Sequence, residues 1–185
     1  MTTNFELQPQ EGELQKLAEQ CWEEAPNRER RLEQEAFEAG EAIRNGDYSL
    51  ANLEAIVRWK SERLVQYVIA NSTTSIHKAL DAAATPECTT AESISALLAL
   101  KGVDLPLATS ILAAIHPDKY IELEMGDLEA LGQARQDVRF YEAYLTFCRG
   151  LVETGIVKPQ KNLPGPTPLR ALDRALMQWS RNRTL

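Results

Sequence analysis

Apolar residues recur at three- and four-residue spacing along almost the whole chain, the period of helices that bury one face. Over residues 11–25 the stripe is Leu14, Leu17, Ala18, Cys21 and Trp22, and Pro26-Asn27 breaks it. A second helix is predicted over 28–45, with Leu32, Ala36, Phe37, Ala39 and Ile43 facing inward and Gly46 as its C-terminal cap. Residues 50–70 continue the pattern through Leu53, Ile56, Val57, Leu64, Val65, Val68 and Ile69, with Ser61 at a bend. Asn71-Ser72-Thr73 offers cap side chains for a helix through Ala84, which Thr85-Pro86 ends. Thr90 with Ser93 opens a helix over Ala91–Leu100, and a second follows from Leu105 to the break at His116-Pro117-Asp118. Beyond it come a short extended stretch, Tyr120–Leu123, and a brief helix around Asp127–Leu131 ended by Gly132. A longer helix, Val138–Thr154, is capped by Gly155.

Residues 157–168 hold four prolines and one glycine, too many for regular structure, and Leu169–Arg181 is a final amphipathic helix. No repeat or strand pair interrupts this order, so the fold class is all-α. The reading is one helical domain over 1–185: acidic helices in 1–48, a core in 49–155 containing a helical hairpin at 91–116, a proline-rich loop at 156–168, and a closing helix in 169–185.

With 185 residues, 44% hydrophobic and 25% charged, the chain has the composition of a soluble globular protein. No apolar run approaches the roughly 20 residues of a membrane span, and the N-terminus lacks a signal-peptide pattern, so a cytoplasmic protein without membrane contact is expected. Cys21, Cys88 and Cys148 stand far apart and match no zinc or iron–sulfur spacing. Reduced, buried thiols, no metal, no iron–sulfur cluster and no cofactor are the expectation. The net charge of −7 argues against strong indiscriminate nucleic-acid binding, which Lys and Arg supply. That charge is uneven: residues 1–54 carry 13 acidic and 5 basic side chains, 55–132 carry 10 and 6, and 133–185 carry 4 and 9. The basic C-terminal third is where a polyanion could sit.

The chemistry with most content lies in the hairpin. Leu100-Lys101-Gly102-Val103-Asp104 can reverse the backbone within a few residues, so that several amides and the dipole of the next helix face one anion. Ala108, Ile111 and Leu112 would pack that helix against Leu97, Leu98 and Leu100. Gly102, Val103 and Ala108 match the pattern Leu-x-Gly-Val-Gly-x-x-x-Ala, and Pro117-Asp118-Lys119-Tyr120-Ile121-Glu122-Leu123-Glu124 with Leu128 and Leu131-Gly132 follows at the matching distance. In these residues the chain resembles the helix-hairpin-helix DNA glycosylase superfamily, and within it the uncharacterised glycosylase-like bacterial branch. The resemblance is clearest over 90–132 and extends more weakly over 50–180, through helix order and Arg170-Ala171-Leu172-Asp173-Arg174-Ala175-Leu176.

The resemblance implies a hairpin that clamps a phosphate of double-stranded DNA and an acid that hydrolyses an N-glycosidic bond. The family's aspartate position carries Glu124, which has the needed carboxylate on a stem one methylene longer. Glu122, Glu124 and Asp127 could equally be an acidic cluster at a helix N-terminus. The second hairpin glycine is replaced by Asp104, which would repel a phosphate but suits the N-cap of the helix from Leu105. Pro106 stands where bifunctional members carry a lysine; it has no amine, so no lyase chemistry is expected there.

The nucleic-acid contacts this implies are Lys101, Gly102, Val103 and Asp104 in the turn. Trp59 and Lys60 are either a stacking-and-cation pair or a packing anchor beside surface charge. Arg170 and Arg174 would form a basic face, with Asp173 possible as a partner of either. Lys158, Lys161, Arg181 and Arg183 could assist. His116 reads as a helix-end cation and Trp179 as core. The expected function is a glycosylase-fold DNA-binding protein, with monofunctional base excision as its chemistry. The alternative is a catalytically inactive helical module that binds a protein or small molecule.

Overall fold

A computed structural model describes residues 4–124, 130–132 and 137–184. The described residues are all-helical apart from their connections, as the hydropathy period predicts. The helices are α1 (Leu14–Glu24), α2 (Asn27–Arg44), α3 (Leu50–Lys60), α4 (Glu62–Val68), α5 (Thr73–Ala84), α6 (Thr90–Leu98), α7 (Leu105–Ile115), α8 (Val138–Glu153) and α9 (Pro168–Arg183). A single 3-10 turn, Glu11–Glu13, precedes α1. The predicted helix around Asp127–Leu131 lies largely outside the described residues; Ala130 is helical and Gly132 has φ +70°. The contacts group the chain into two compact units, Asn27–His116 and Met1–Pro26 with Pro117–Leu185.

In the unit Asn27–His116, α7 is the central element. Every residue from Leu107 to Ile115 is buried, and the helix packs on α2, α3, α5 and α6. A helix buried all round must satisfy its own polar groups. The Thr109 and Ser110 hydroxyls do so by donating to the Pro106 carbonyl, at 2.7 and 3.1 Å. α2 closes with Gly46 at φ +99°, where Asp47 N–H reaches Ala42 O and Gly46 N–H reaches Ile43 O, both at 2.9 Å. This is the Schellman arrangement that a glycine one residue beyond the C-cap, Asn45, permits.

Ser61 does more than bend the 50–70 segment. Its extended backbone, φ −163° and ψ 113°, separates α3 from α4. Ser72 caps α5 by accepting from Ser75 N–H at 3.1 Å. The cap of α6 sits one residue earlier than expected. Thr89 accepts Glu92 N–H at 3.2 Å while Glu92 accepts Thr89 N–H at 2.7 Å. That reciprocal pair needs a long acceptor at the third helical position, which Ser93 lacks. Ser93 is buried instead, donating to Ala82 O at 3.4 Å.

In the other unit, α9 packs on α1 and α8. Thr167 caps α9 and Pro168 occupies its first position, where a missing N–H costs nothing. Leu169 to Leu176, Gln178 and Ser180 are buried. Phe5 lies against Phe140, Tyr144 and Phe147, with ring centroids 5.2, 6.1 and 5.5 Å away. Gln8 N–H donates to Ala130 O at 2.9 Å, tying down the N-terminal segment.

Several expected placements are corrected. Leu98 is 37% exposed, and of the three leucines only Leu97 and Leu100 are buried. Trp179 is half-buried, with the Arg183 guanidinium 4.4 Å over its ring. Of the three free thiols only Cys148 is buried. His116 stands at the end of α7, as expected, and is buried there, its Nε2 3.0 Å from the Ala83 carbonyl, so that nitrogen carries the proton it donates. No helix among the described residues is long and apolar enough to cross a membrane.

Candidate nucleic-acid interface

The hairpin folds around Gly102 at φ +84°, a conformation that L side chains avoid. Leu100 N–H donates to Leu97 O at 3.1 Å, and Val103 N–H to Leu100 O at 3.4 Å. The turn rests on α4: a Cβ added at Gly102 would lie 2.8 Å from Tyr67 Cβ. Asn71 clamps it from the α4–α5 junction, accepting Lys101 N–H at 2.9 Å and donating to Lys101 O at 3.0 Å. The Lys101 side chain remains exposed, while Val103 is buried as a core anchor.

Two features reduce the turn's capacity to hold an anion on backbone amides. The Lys101 amide already has Asn71 as acceptor. Asp104 is the N-cap of α7, its Oδ1 accepting Leu107 N–H at 3.0 Å, and Pro106 in the same first turn contributes no N–H. The carboxylate thereby occupies the end of α7 that would otherwise favour a ligand's negative charge.

Trp59 meets Phe37 of α2 edge-on at 5.5 Å, and Lys60 Nζ lies 4.4 Å over the Trp59 ring. Both side chains are half-buried, in the packing-anchor arrangement. Neighbouring Arg58 is engaged by Glu54 at 2.6 Å and Glu62 at 3.2 Å.

The segment that leads to Glu124 is held along its length by side chains of its own unit. Thr167 Oγ1 donates to Pro117 O at 2.6 Å, and Arg149 donates to Lys119 O through Nε and Nη2, at 2.9 and 2.6 Å. The Tyr141 and Tyr144 hydroxyls donate to the carbonyls of Ile121 and Glu122, at 2.9 and 3.1 Å. Burial pushes the Tyr141 phenol well above its ordinary range, so it stays a protonated donor. Glu124 follows this fixed stretch and is half-buried. Asp127 lies outside the described residues.

Glu122 is not a surface acid beside Glu124. It is 2% exposed and its Oε2 accepts from Arg170 Nη1 at 2.8 Å. The same Nη1 donates to Asp173 Oδ2 at 2.6 Å. Arg174, 2% exposed, donates to Pro164 O at 2.7 Å and to Gln160 Oε1 at 3.1 Å, with its guanidinium 5.3 Å over the Trp22 ring. The expected basic face of Arg170 and Arg174 is therefore corrected: both guanidinia are interior groups that hold α9, the 117–124 segment and the proline-rich loop. Lys158, Lys161, Arg181 and Arg183 are exposed, as is Arg139 on α8. Sequence reasoning anticipated a pairing of Asp173 with an arginine, three residues apart on one helix, but missed Glu122, 48 residues from Arg170.

Among the described residues no group of three or more His, Cys, Asp or Glu side chains could hold a metal ion. No protein-family model, curated protein or solved structure matches the chain.

Proposed function

We propose that the protein binds the backbone of double-stranded DNA through the 100–104 hairpin and that Glu124 is the acid of a monofunctional N-glycosidic hydrolysis. The observation that carries the reading is the hairpin itself. Two helices, α6 and α7, are joined by a short reversal with Gly102 at φ +84° and Lys101 exposed beside it. A second support is the placement of Glu124, half-buried at the end of a segment whose carbonyls are pinned, two residues after Glu122, which is buried against Arg170. In the reaction, water adds at the sugar's anomeric carbon as the bond to the base breaks. The base leaves with a proton, and a carboxylate at Glu124 takes one from the water and steadies the cationic sugar. Pro106 can form no Schiff base, so the product is an abasic site with an intact strand.

Single-turnover incubation with duplexes carrying a panel of damaged bases tests the chemistry. The expected result is abasic product that disappears in Glu124→Gln and persists in Glu122→Gln, whose amide still accepts from Arg170. Absence of product from every lesion would remove the catalytic part.

The second reading, a catalytically inactive module, is favoured by the occupied Lys101 amide and by Asp104 at the head of α7. The Asp104→Asn variant addresses this directly. Asn caps a helix about as well as Asp, so stability should change by less than about 1 kcal/mol. Loss of one negative charge a few ångströms from a phosphate should tighten duplex binding about fivefold at low salt. Fluorescence anisotropy checks it. Unchanged affinity would place the duplex away from this turn, and no binding by the parent chain at ~50 mM salt would leave the second reading.

A further inference from the structure

The geometry points to a contact face that extends from the hairpin onto α4: Arg63, Tyr67 and Lys101 together receive the sugar-phosphate backbone of nucleic acid. This deepens the duplex-binding reading above and rests on it. Tyr67 is the most exposed large hydrophobic side chain among the described residues, at 53%. Its Cβ lies 2.8 Å from the Cβ position of Gly102, so the phenol ring leaves the surface directly beside the turn. The two elements are linked through Asn71. Asn71 binds both the N–H and the carbonyl of Lys101 and also donates to Val68 O at 2.8 Å, joining the turn to the end of α4. Arg63 stands four residues before Tyr67 on α4, the spacing that puts two side chains on one face. Arg63 and Lys101 are both exposed.

The local charge balance selects the occupant. Glu62, next to Arg63, is turned to Arg58 at 3.2 Å and Arg28 at 3.7 Å. Asp104 accepts the Leu107 amide at the head of α7, and its charge opposes the two cations there, as the Asp104→Asn variant tests. An aromatic ring with a hydroxyl donor, four residues from one exposed cation and beside the turn that carries another, fits a phosphodiester chain. The cations neutralise phosphates, the phenol donates to a phosphate oxygen, and the ring packs on sugar or base. An apolar protein partner would leave both cations without a counter-charge.

The test is fluorescence anisotropy of the full chain with an undamaged labelled duplex, titrated with salt from ~50 mM upward. Tyr67→Ala keeps the Cβ that touches the Gly102 turn, and circular dichroism melting will establish that it folds. It should bind about tenfold more weakly. Arg63→Gln should lower the slope of log K against log salt by about one. Full affinity in Tyr67→Ala with an unchanged slope in Arg63→Gln, while Lys101→Glu loses binding, would overturn the face and leave the hairpin reading standing. A parent chain that binds no duplex would overturn both. Loss of a dimer on sedimentation of Tyr67→Ala, with duplex affinity intact, would assign the ring to contact between copies and equally overturn the proposal.

Discussion

Replacement of Arg170 by Met is expected to lower the free energy of unfolding by about 3–5 kcal/mol, the cost of leaving buried charge without its counter-ion. Arg170 is 8% exposed, and one nitrogen serves both Glu122 Oε2 and Asp173 Oδ2, at 2.8 and 2.6 Å. The acids are 2% and 1% exposed, so water cannot replace the lost donor. Met matches the aliphatic stem in bulk, which confines the loss to electrostatics and hydrogen bonding. If this account is right, the triple replacement Glu122→Met, Arg170→Met, Asp173→Leu should recover more than half of the deficit, because an apolar set of similar volume removes the stranded charges. Urea unfolding followed by circular dichroism measures both proteins. A single variant within 1 kcal/mol of the parent would mean that solvent reaches this network. In that case Arg170 would again be open to a phosphate.

The same network shows what hydropathy could and could not disclose. The helices were legible because each writes its buried stripe into a short window: Leu14, Leu17 and Ala18 for α1, or Ile76, Ala79, Leu80 and Ala83 for α5. Caps were legible to within one residue where local chemistry decides them, as at Ser72, Asp104, Gly46 and Gly155. The α6 cap slipped because Thr89 and Thr90 are adjacent hydroxyls, and only the reach of Glu92 distinguishes them. Arg170 and Arg174 were misread for a different reason. A stripe pattern assigns charged residues to the outer face, but α9 is buried nearly all round and its charges are satisfied by Glu122, Pro164 O and Gln160. Those partners lie in loops with no period to reveal them.

The candidate site divides along the same line. That Asp104 would cap α7 followed from its place before Leu105-Pro106, and the bond to Leu107 N–H bears it out. That Asn71 would occupy the Lys101 amide could not be read, because the two are 30 residues apart. Glu122 and Glu124 look alike in sequence, two acids on either side of Leu123. Only the position of Arg170 separates them: Glu122 is buried against that guanidinium, and Glu124 is half-buried.

The Gly40→Ala change is expected to destabilise the Asn27–His116 unit by about 2–3 kcal/mol, although helix propensity alone would make it favourable by about 1 kcal/mol. A methyl group at Gly40 would fall onto the Ala114 carbonyl and lie 2.9 Å from Ile115 N. These are backbone atoms of α7, so no rotamer change relieves the overlap; α2 and α7 must separate. Separation is resisted on the same side, because Arg44 Nη1 donates to Ile115 O at 2.6 Å. The cost therefore reaches beyond one methyl contact into the seam between the two helices, and α7 is the second helix of the hairpin. Chemical denaturation of Gly40→Ala beside Ala39→Gly on the same turn separates propensity from packing. Ala39→Gly removes a buried methyl and weakens the helix, by about 1–2 kcal/mol. If Gly40→Ala were as stable as the parent, α2 and α7 would not be in backbone contact, and the seam that positions α7 would have to be redrawn.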